Sequence, residues 1–173
     1  GYFHHERTGA LGAPVKVAYT TWKSDVGDHV ARSLPDDGFE FRAIRETATW
    51  SELRELYAWS DVFLASPGPE EGLYLPGLEA MAAGSIVVTP DVGGNLAYCR
   101  PGANCLLVGF EQAADYLAAL VELRDAPVSR IEELRAGGYA VTADFDLDAE
   151  RRGFGDFLDE LWPRIRAHED RRR

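Results

Sequence analysis

The stretch from Val62 to Thr89 constrains the fold more than any other part of the chain. Val62-Phe-Leu-Ala65 is a short, wholly apolar run closed by Ser66-Pro67-Gly68-Pro69, the pattern of a parallel strand buried on both faces. Pro76 then suits the first turn of a helix, where its missing N–H costs nothing. Leu78, Met81 and Ala82 follow at helical spacing, Gly84 can close the end, and Ile86-Val-Val-Thr89 makes the next strand. Strand, helix and buried strand in that order form a parallel crossover, which places the chain in the α/β class.

The same alternation runs through the rest. Val15 to Tyr19 is apolar and β-branched enough for a first strand, and a helix over Asp28 to Leu34 should stop at Pro35-Asp36-Asp37-Gly38. Phe39 to Ile44 alternates and reads as a second strand. Thr49 or Ser51 can cap a helix through Trp59, with Leu53, Leu56 and Tyr57 on its buried side. Cys105 to Val108 is a short fifth strand, and Glu111 to Leu123 an amphipathic helix. After Ala126-Pro127 the pattern is helical over Ser129 to Arg135 and again from Asp148 to about His168. Pro163 should kink or split that last helix by removing a hydrogen bond. The expected architecture is a mainly parallel, Rossmann-like sheet with helices on both faces and a helical C-terminus.

At 173 residues the chain fits one domain, large enough to bury about two-thirds of its unfolded surface. Its 46% of apolar residues and mixed charge belong to a folded globular protein rather than a disordered one. No apolar run approaches the ~18 residues of a membrane helix, and the opening residues show no signal-peptide pattern. Cys99 and Cys105 have no companions at metal-ligand spacing, so we expect reduced thiols in a cytoplasmic protein. A net charge of −11 argues against nucleic-acid binding, which needs basic surface against phosphates. The basic end Arg171-Arg172-Arg173 reads as a solvated terminus.

Two carboxylates, Glu71 and Glu79, lie eight positions apart around the start of the Pro76 helix. The expected N-cap, Leu75, has no side-chain oxygen, which leaves first-turn N–H groups open. Beside the positive end of the helix dipole they offer a seat for a phosphate. The run Glu71-Gly-Leu-Tyr-Leu-Pro-Gly-Leu-Glu79-Ala-Met-Ala-Ala-Gly84, followed by Val87-Val88 and Gly93-Gly94, resembles the donor half of retaining GT-B glycosyltransferases. More narrowly it is similar to the group-1 (GT4-type) family with its Glu-x7-Glu pattern, from about Leu53 to Leu123.

That resemblance implies a set of roles. Glu79 would accept hydrogen bonds from both ribose hydroxyls of a nucleotide, a charge-assisted contact made from the exposed flank of the helix. Glu71 would stand beside the donor sugar as nucleophile, electrostatic stabiliser or positioning group. Gly72 would let the backbone approach closely, and the N–H groups of Leu73, Tyr74 and Leu75 would reach sugar or phosphate. The side chains of the two leucines are expected in the core. Lys23 would neutralise the diphosphate without help, because Ala18 stands where the family usually supplies an arginine. Ile44 and Arg45, after the second strand, would meet the nucleobase, largely through backbone groups. Gly93-Gly94 lies at a strand end where open α/β sheets bind ligands, and would contact the donor or make a tight turn. The implied donor is a nucleotide-diphosphate sugar, with no metal and no other cofactor. Residues 1–14 would be the linker from an N-terminal acceptor-binding domain outside this sequence, and 15–173 the donor domain, ending in the helices of 148–168. Peripheral membrane association of the full-length enzyme is compatible with this reading.

The remaining patterns read as structure. Asp144-Phe-Asp146 and Asp146-Leu-Asp148 mimic a metal-binding Asp-x-Asp, but they precede a late helix, where capping is expected. His4-His5 and His29 have no partners at metal spacing, and neither a nucleophile triad nor a phosphate loop is present. Thr20 and Thr21 could donate to a ligand or merely end a strand, and Trp22 reads as an indole covering the sheet edge. Two other classes stay open on the sequence: a silent nucleotide-sugar-binding or scaffolding module, and a sugar-nucleotide epimerase of the same architecture.

Overall fold

The computed structural model describes residues 1–34 and 38–171, so the expected stop at Pro35-Asp36-Asp37 and the last two arginines lie outside the described residues. It contains two compact units, residues 1–142 and 143–173. In the first, β1 (Val15–Thr20), β2 (Phe39–Ile44), β3 (Val62–Leu64), β4 (Ile86–Pro90) and β5 (Cys105–Val108) form one parallel sheet in the order β2-β1-β3-β4-β5. Helices α1 (Val26–Ser33), α2 (Trp50–Trp59), α3 (Leu75–Ala82), α4 (Ala113–Asp125) and α5 (Val128–Ala143) connect or follow the strands, with a 3-10 turn over Gly93–Ala97 after β4.

Successive strand residues point to opposite faces, and the core divides accordingly. Val62 and Leu64 pack with Val17, Ile86 and Val88 against Val30 of α1, Leu120 of α4 and Ile131 of α5. Phe63 and Ala65 go to the other face, with Val87 and Cys105, against Leu56 and Tyr57 of α2 and Leu78 and Met81 of α3. Helices thus cover both faces, which is why β3 and β4 are apolar at nearly every position. Each fully buried Val, Leu, Ile or Phe is worth about 1.5–3 kcal/mol, so this double core is the main source of stability.

Element ends moved where packing outweighed local pattern. Helix α1 begins at Val26 rather than Asp28, and α4 at Ala113 rather than Glu111. Thr49 is the cap of α2, in a reciprocal box with Glu52. Helix α5 runs to Ala143, well past the expected Arg135, although it carries Gly137-Gly138. A β-carbon on Gly137 would lie 2.1 Å from the carbonyl oxygen of Ala103. That close approach outweighs the propensity penalty of about 1 kcal/mol for a helical glycine.

Residues 1–14 carry no helix or strand, yet they are tied down below the sheet. Buried Asp61 accepts the N–H groups of Gly12 (3.2 Å) and Lys16 (3.0 Å) and faces Arg7 (3.3 Å) and Arg135 (3.8 Å). Arg135 also donates to Gly9 O (2.6 Å) and Gly84 O (3.2 Å). Cys99 and Cys105 are buried free thiols in contact; their mutual hydrogen bond, together with burial, pushes the Cys99 thiol up, and the same bond lowers Cys105 against the effect of burial.

The second unit is built on α6 (Leu147–Asp170). Asp146 caps it, accepting Ala149 N–H at 2.7 Å, while Asp148 pairs with Arg151. Of the kink or split expected at Pro163, the split does not occur: the helix runs through, and the Glu160–Arg164 pair (2.7 Å) lies beside the lost hydrogen bond. No helix among the described residues is long and apolar enough to cross a membrane.

Candidate active site

In an open sheet the ligand crevice lies outside the carboxyl ends of the strands, where neighbouring connections leave toward opposite faces. Here β1 leads into α1 on one face and β3 into α3 on the other, so that point lies between β1 and β3. The first loop carries Lys23 and the second Glu71, and their side chains form an ion pair. The Lys23 ammonium also lies 5.8 Å from the ring centre of Tyr74.

The loop after β4 buttresses Glu71. Gly94 N–H donates to Glu71 O at 3.1 Å, and Gly93 adopts a φ of +46°. A β-carbon on Gly94 would fall 1.1 Å from Gly72 O, and one on Gly93 2.8 Å from Glu71 O. The glycine pair is therefore required by backbone-against-backbone contact. Buried Asn95 locks this loop by donating to Thr89 and to Pro90 O (3.3 Å), and the Tyr98 hydroxyl donates to Tyr74 O (2.8 Å).

Glu79 is half-buried, not on an exposed flank, and accepts a hydrogen bond from the Tyr57 hydroxyl at 3.3 Å. Burial holds its carboxyl above the usual range, while the Tyr57 bond opposes that shift. Tyr57 is itself fully buried, and a buried phenol needs a partner for its hydroxyl.

The start of α3 differs from expectation by one residue. Tyr74, not Leu75, is the N-cap position. Tyr74 is 3% exposed, whereas Leu73 and Leu75, expected in the core, are 42% and 52% exposed. One helical residue is about 100° of rotation, enough to exchange an inward for an outward side chain. The Tyr74 ring fills the inward place, with its hydroxyl against Thr20 and Ser66. The first turn is also tighter than expected: Leu75 N–H donates to Leu73 O (3.1 Å) and Gly77 N–H to Tyr74 O (3.2 Å). Those two donors are already satisfied, which shrinks the phosphate seat.

At the end of β2 a groove of about 410 Å³ is lined by Arg42, Ile44, Glu46, Thr47 and Leu56, among others. Arg45 is not among its walls. Its guanidinium forks onto both oxygens of Asp28 (2.7 Å each), and the Tyr19 hydroxyl donates to Asp28 at 2.6 Å. Trp22 is exposed, and its indole N–H donates to Glu46 O at 2.8 Å. Ala18, in place of the second cation that the resemblance implies, is fully buried in β1. Among the described residues no group of three or more His, Cys, Asp or Glu gathers as for a metal.

The chain matches the model of the family "Glycosyl transferases group 1" over residues 26–125, more than half its length. It belongs to that family. It is similar to the D-inositol 3-phosphate glycosyltransferase of Thermomonospora curvata, 37% identical over 101 residues that cover 57% of this chain and 23% of that protein. The chain thus spans less than a quarter of that relative. Its fold is similar to the C-terminal domain of the glycosyl transferase group 1 family protein LpcC from Francisella tularensis (TM-score 0.68, 14% identity, 84% of this chain and 97% of that one). It is likewise similar to Anabaena HepE in complex with UDP and glucose (TM-score 0.65, 15% identity, 84% and 48%).

In this group-1 glycosyltransferase domain, Lys23, Glu71, Gly72, Tyr74, Gly93 and Gly94 converge at the ends of β1, β3 and β4. Glu79 is linked to α2 through Tyr57, and Ile44 lines the groove beside that helix. Arg45 and the Leu75 N–H are committed elsewhere. Tyr57 and Asn95 were not singled out in the sequence as site residues; the one available signal was a tyrosine on the buried side of α2.

Proposed function

We propose that this chain is the donor-binding domain of a retaining, GT4-type glycosyltransferase that moves a hexose-type sugar from a nucleotide-diphosphate sugar. The acceptor would be held by an N-terminal domain of a cytoplasmic enzyme building polysaccharides or glycolipids. The observation that carries this reading is the meeting of Lys23 and Glu71 at the switch point of the sheet, with Glu79 on the following helix held by Tyr57. In this scheme Lys23 faces the diphosphate and offsets charge on the leaving group. Glu79 takes the ribose hydroxyls, the Ile44 groove takes the base, and Glu71 stands by the anomeric carbon. Gly72 and the Leu73 and Tyr74 N–H groups approach the sugar. No metal is assigned a role, so binding should persist in chelator. UDP, bound by HepE, is the first nucleotide to test.

The experiment is calorimetric titration of UDP, GDP and ADP into the wild type and Glu79→Ala. Loss of a charge-assisted ribose contact should weaken the best nucleotide by roughly thirtyfold, about 2 kcal/mol. Equal binding by both proteins would refute the ribose assignment. Failure of all three nucleotides to bind would count against any nucleotide-sugar role and favour a scaffolding module.

A further inference from the structure

We infer that Trp22, Asp28 and Arg45 form a positioning clamp that sets Lys23 in the site, a reading that rests on the diphosphate role proposed for that lysine. Lys23 sits in a loop between β1, which ends at Thr20, and α1, which begins at Val26. A lysine on such a loop is a flexible four-carbon stem, and it meets an anion in one geometry only if the backbone beneath it is already fixed.

Three consecutive residues at the end of β2 supply that fixation. Ile44 O accepts Thr21 N–H at 3.1 Å. Arg45 forks onto Asp28 through two bonds of 2.7 Å. Glu46 O accepts the Trp22 indole N–H at 2.8 Å. The backbone is therefore gripped before Lys23, at Thr21 and Trp22, and after it, at Asp28 in the first turn of α1, while the Lys23 side chain reaches away to Glu71. The far side of the clamp is equally tight. The Tyr19 hydroxyl donates to Asp28 (2.6 Å), and the first turn of α1 lies on the Tyr19 ring so closely that a β-carbon on Gly27 would come within 2.2 Å of it.

The clamp also keeps its charges. The Arg45 and Tyr19 bonds hold the Asp28 carboxyl down to about 2, and burial with the Asp28 bond pushes the Tyr19 phenol up to about 12. Bidentate geometry between planar partners adds direction to the attraction, which a single lysine contact would lack. Ile44 and Glu46 line the 410 Å³ groove as well, so one segment holds that groove and Lys23 in register.

A double-mutant cycle tests this on the whole chain, with folding checked by circular dichroism. The ligands are the best-binding nucleoside diphosphate of the panel and its parent nucleoside. Trp22→Phe keeps an aromatic ring, though a smaller one, and removes the N–H; it should weaken the diphosphate about fivefold, as for one hydrogen bond, and leave the nucleoside unchanged. In a Lys23→Ala background the same substitution should have no further effect. If Trp22→Phe does not fold, Arg45→Lys, which loses the fork but keeps the charge, serves with the same expectation. A full loss in both backgrounds, or an equal loss for the nucleoside, overturns the clamp while leaving the proposed function intact. Unchanged diphosphate binding in Lys23→Ala overturns the diphosphate role of that lysine and the clamp with it.

Discussion

Lys23 and Glu71, 48 residues apart in the chain, are bonded ammonium to carboxylate across the ends of β1 and β3. In the free protein each neutralises the other, at the place where a diphosphate would bring new negative charge. Glu71 thus competes with the proposed ligand for the cation. Glu71→Gln should therefore tighten binding of a nucleoside diphosphate, by up to about fivefold, in line with the 0.2–1 kcal/mol or so of a partly exposed pair. In an enzyme with its acceptor domain the same variant should transfer little sugar. Calorimetry that shows weaker binding by the glutamine variant would count against this competition.

Glu79 offers a test through pH. Burial raises its carboxyl above the ordinary value, so the folded state holds that proton more tightly than the unfolded chain does. Stability then falls as pH rises from the ordinary glutamate value through the raised one, and the penalty is complete above both. Glu79→Gln should be more stable than the wild type near pH 7 and equal to it near pH 4. Urea denaturation at the two pH values reads the difference. A glutamine variant that is less stable at pH 7 would mean that the Tyr57 bond outweighs burial.

Gly94→Ala should damage the site from behind. Its β-carbon would meet Gly72 O at 1.1 Å, and backbone cannot rotate aside as a side chain can. We expect a stability loss of about 1–3 kcal/mol, typical of overpacking, together with loss of donor binding. Unchanged melting and unchanged binding would show that the two loops are not in contact in solution.

Asp61→Ala should be the most destabilising of these changes, far from any chemistry. It would leave the buried Arg135 guanidinium, Arg7 and two backbone N–H groups without their shared acceptor. Breaking a buried pair on one side costs about 3–5 kcal/mol. Asp61→Asn keeps one oxygen and should lose less. Urea midpoints that are the same for alanine and asparagine would contradict this account.

The legible part of the site is local. Glu71 and Glu79 flank a helix start that Pro76 announces, and both Gly93-Gly94 and the strand before it follow at short range. Lys23 follows a recognisable first strand. Side-chain direction around α3 was not legible: a one-residue offset exchanged Tyr74 for the two leucines as the buried group. No periodicity resolves that in so short a segment, because an eight-residue helix has barely two turns to average over. The side-chain partner of Arg45 was illegible for another reason: Asp28 lies 17 residues earlier, on a different element.

The sequence by itself determined the strands, their burial on both faces and the α/β class, since these follow from runs and spacings within a few residues. It also carried the pair of glutamates whose spacing resembles the pattern of group-1 glycosyltransferases. Only the tertiary structure decided that Lys23 meets Glu71, that Gly94 is held against Gly72, that Tyr57 holds Glu79, and that Arg45 serves Asp28. Each of these is a contact between residues on different elements that the fold brings together, and its energy depends on distances that no local pattern encodes.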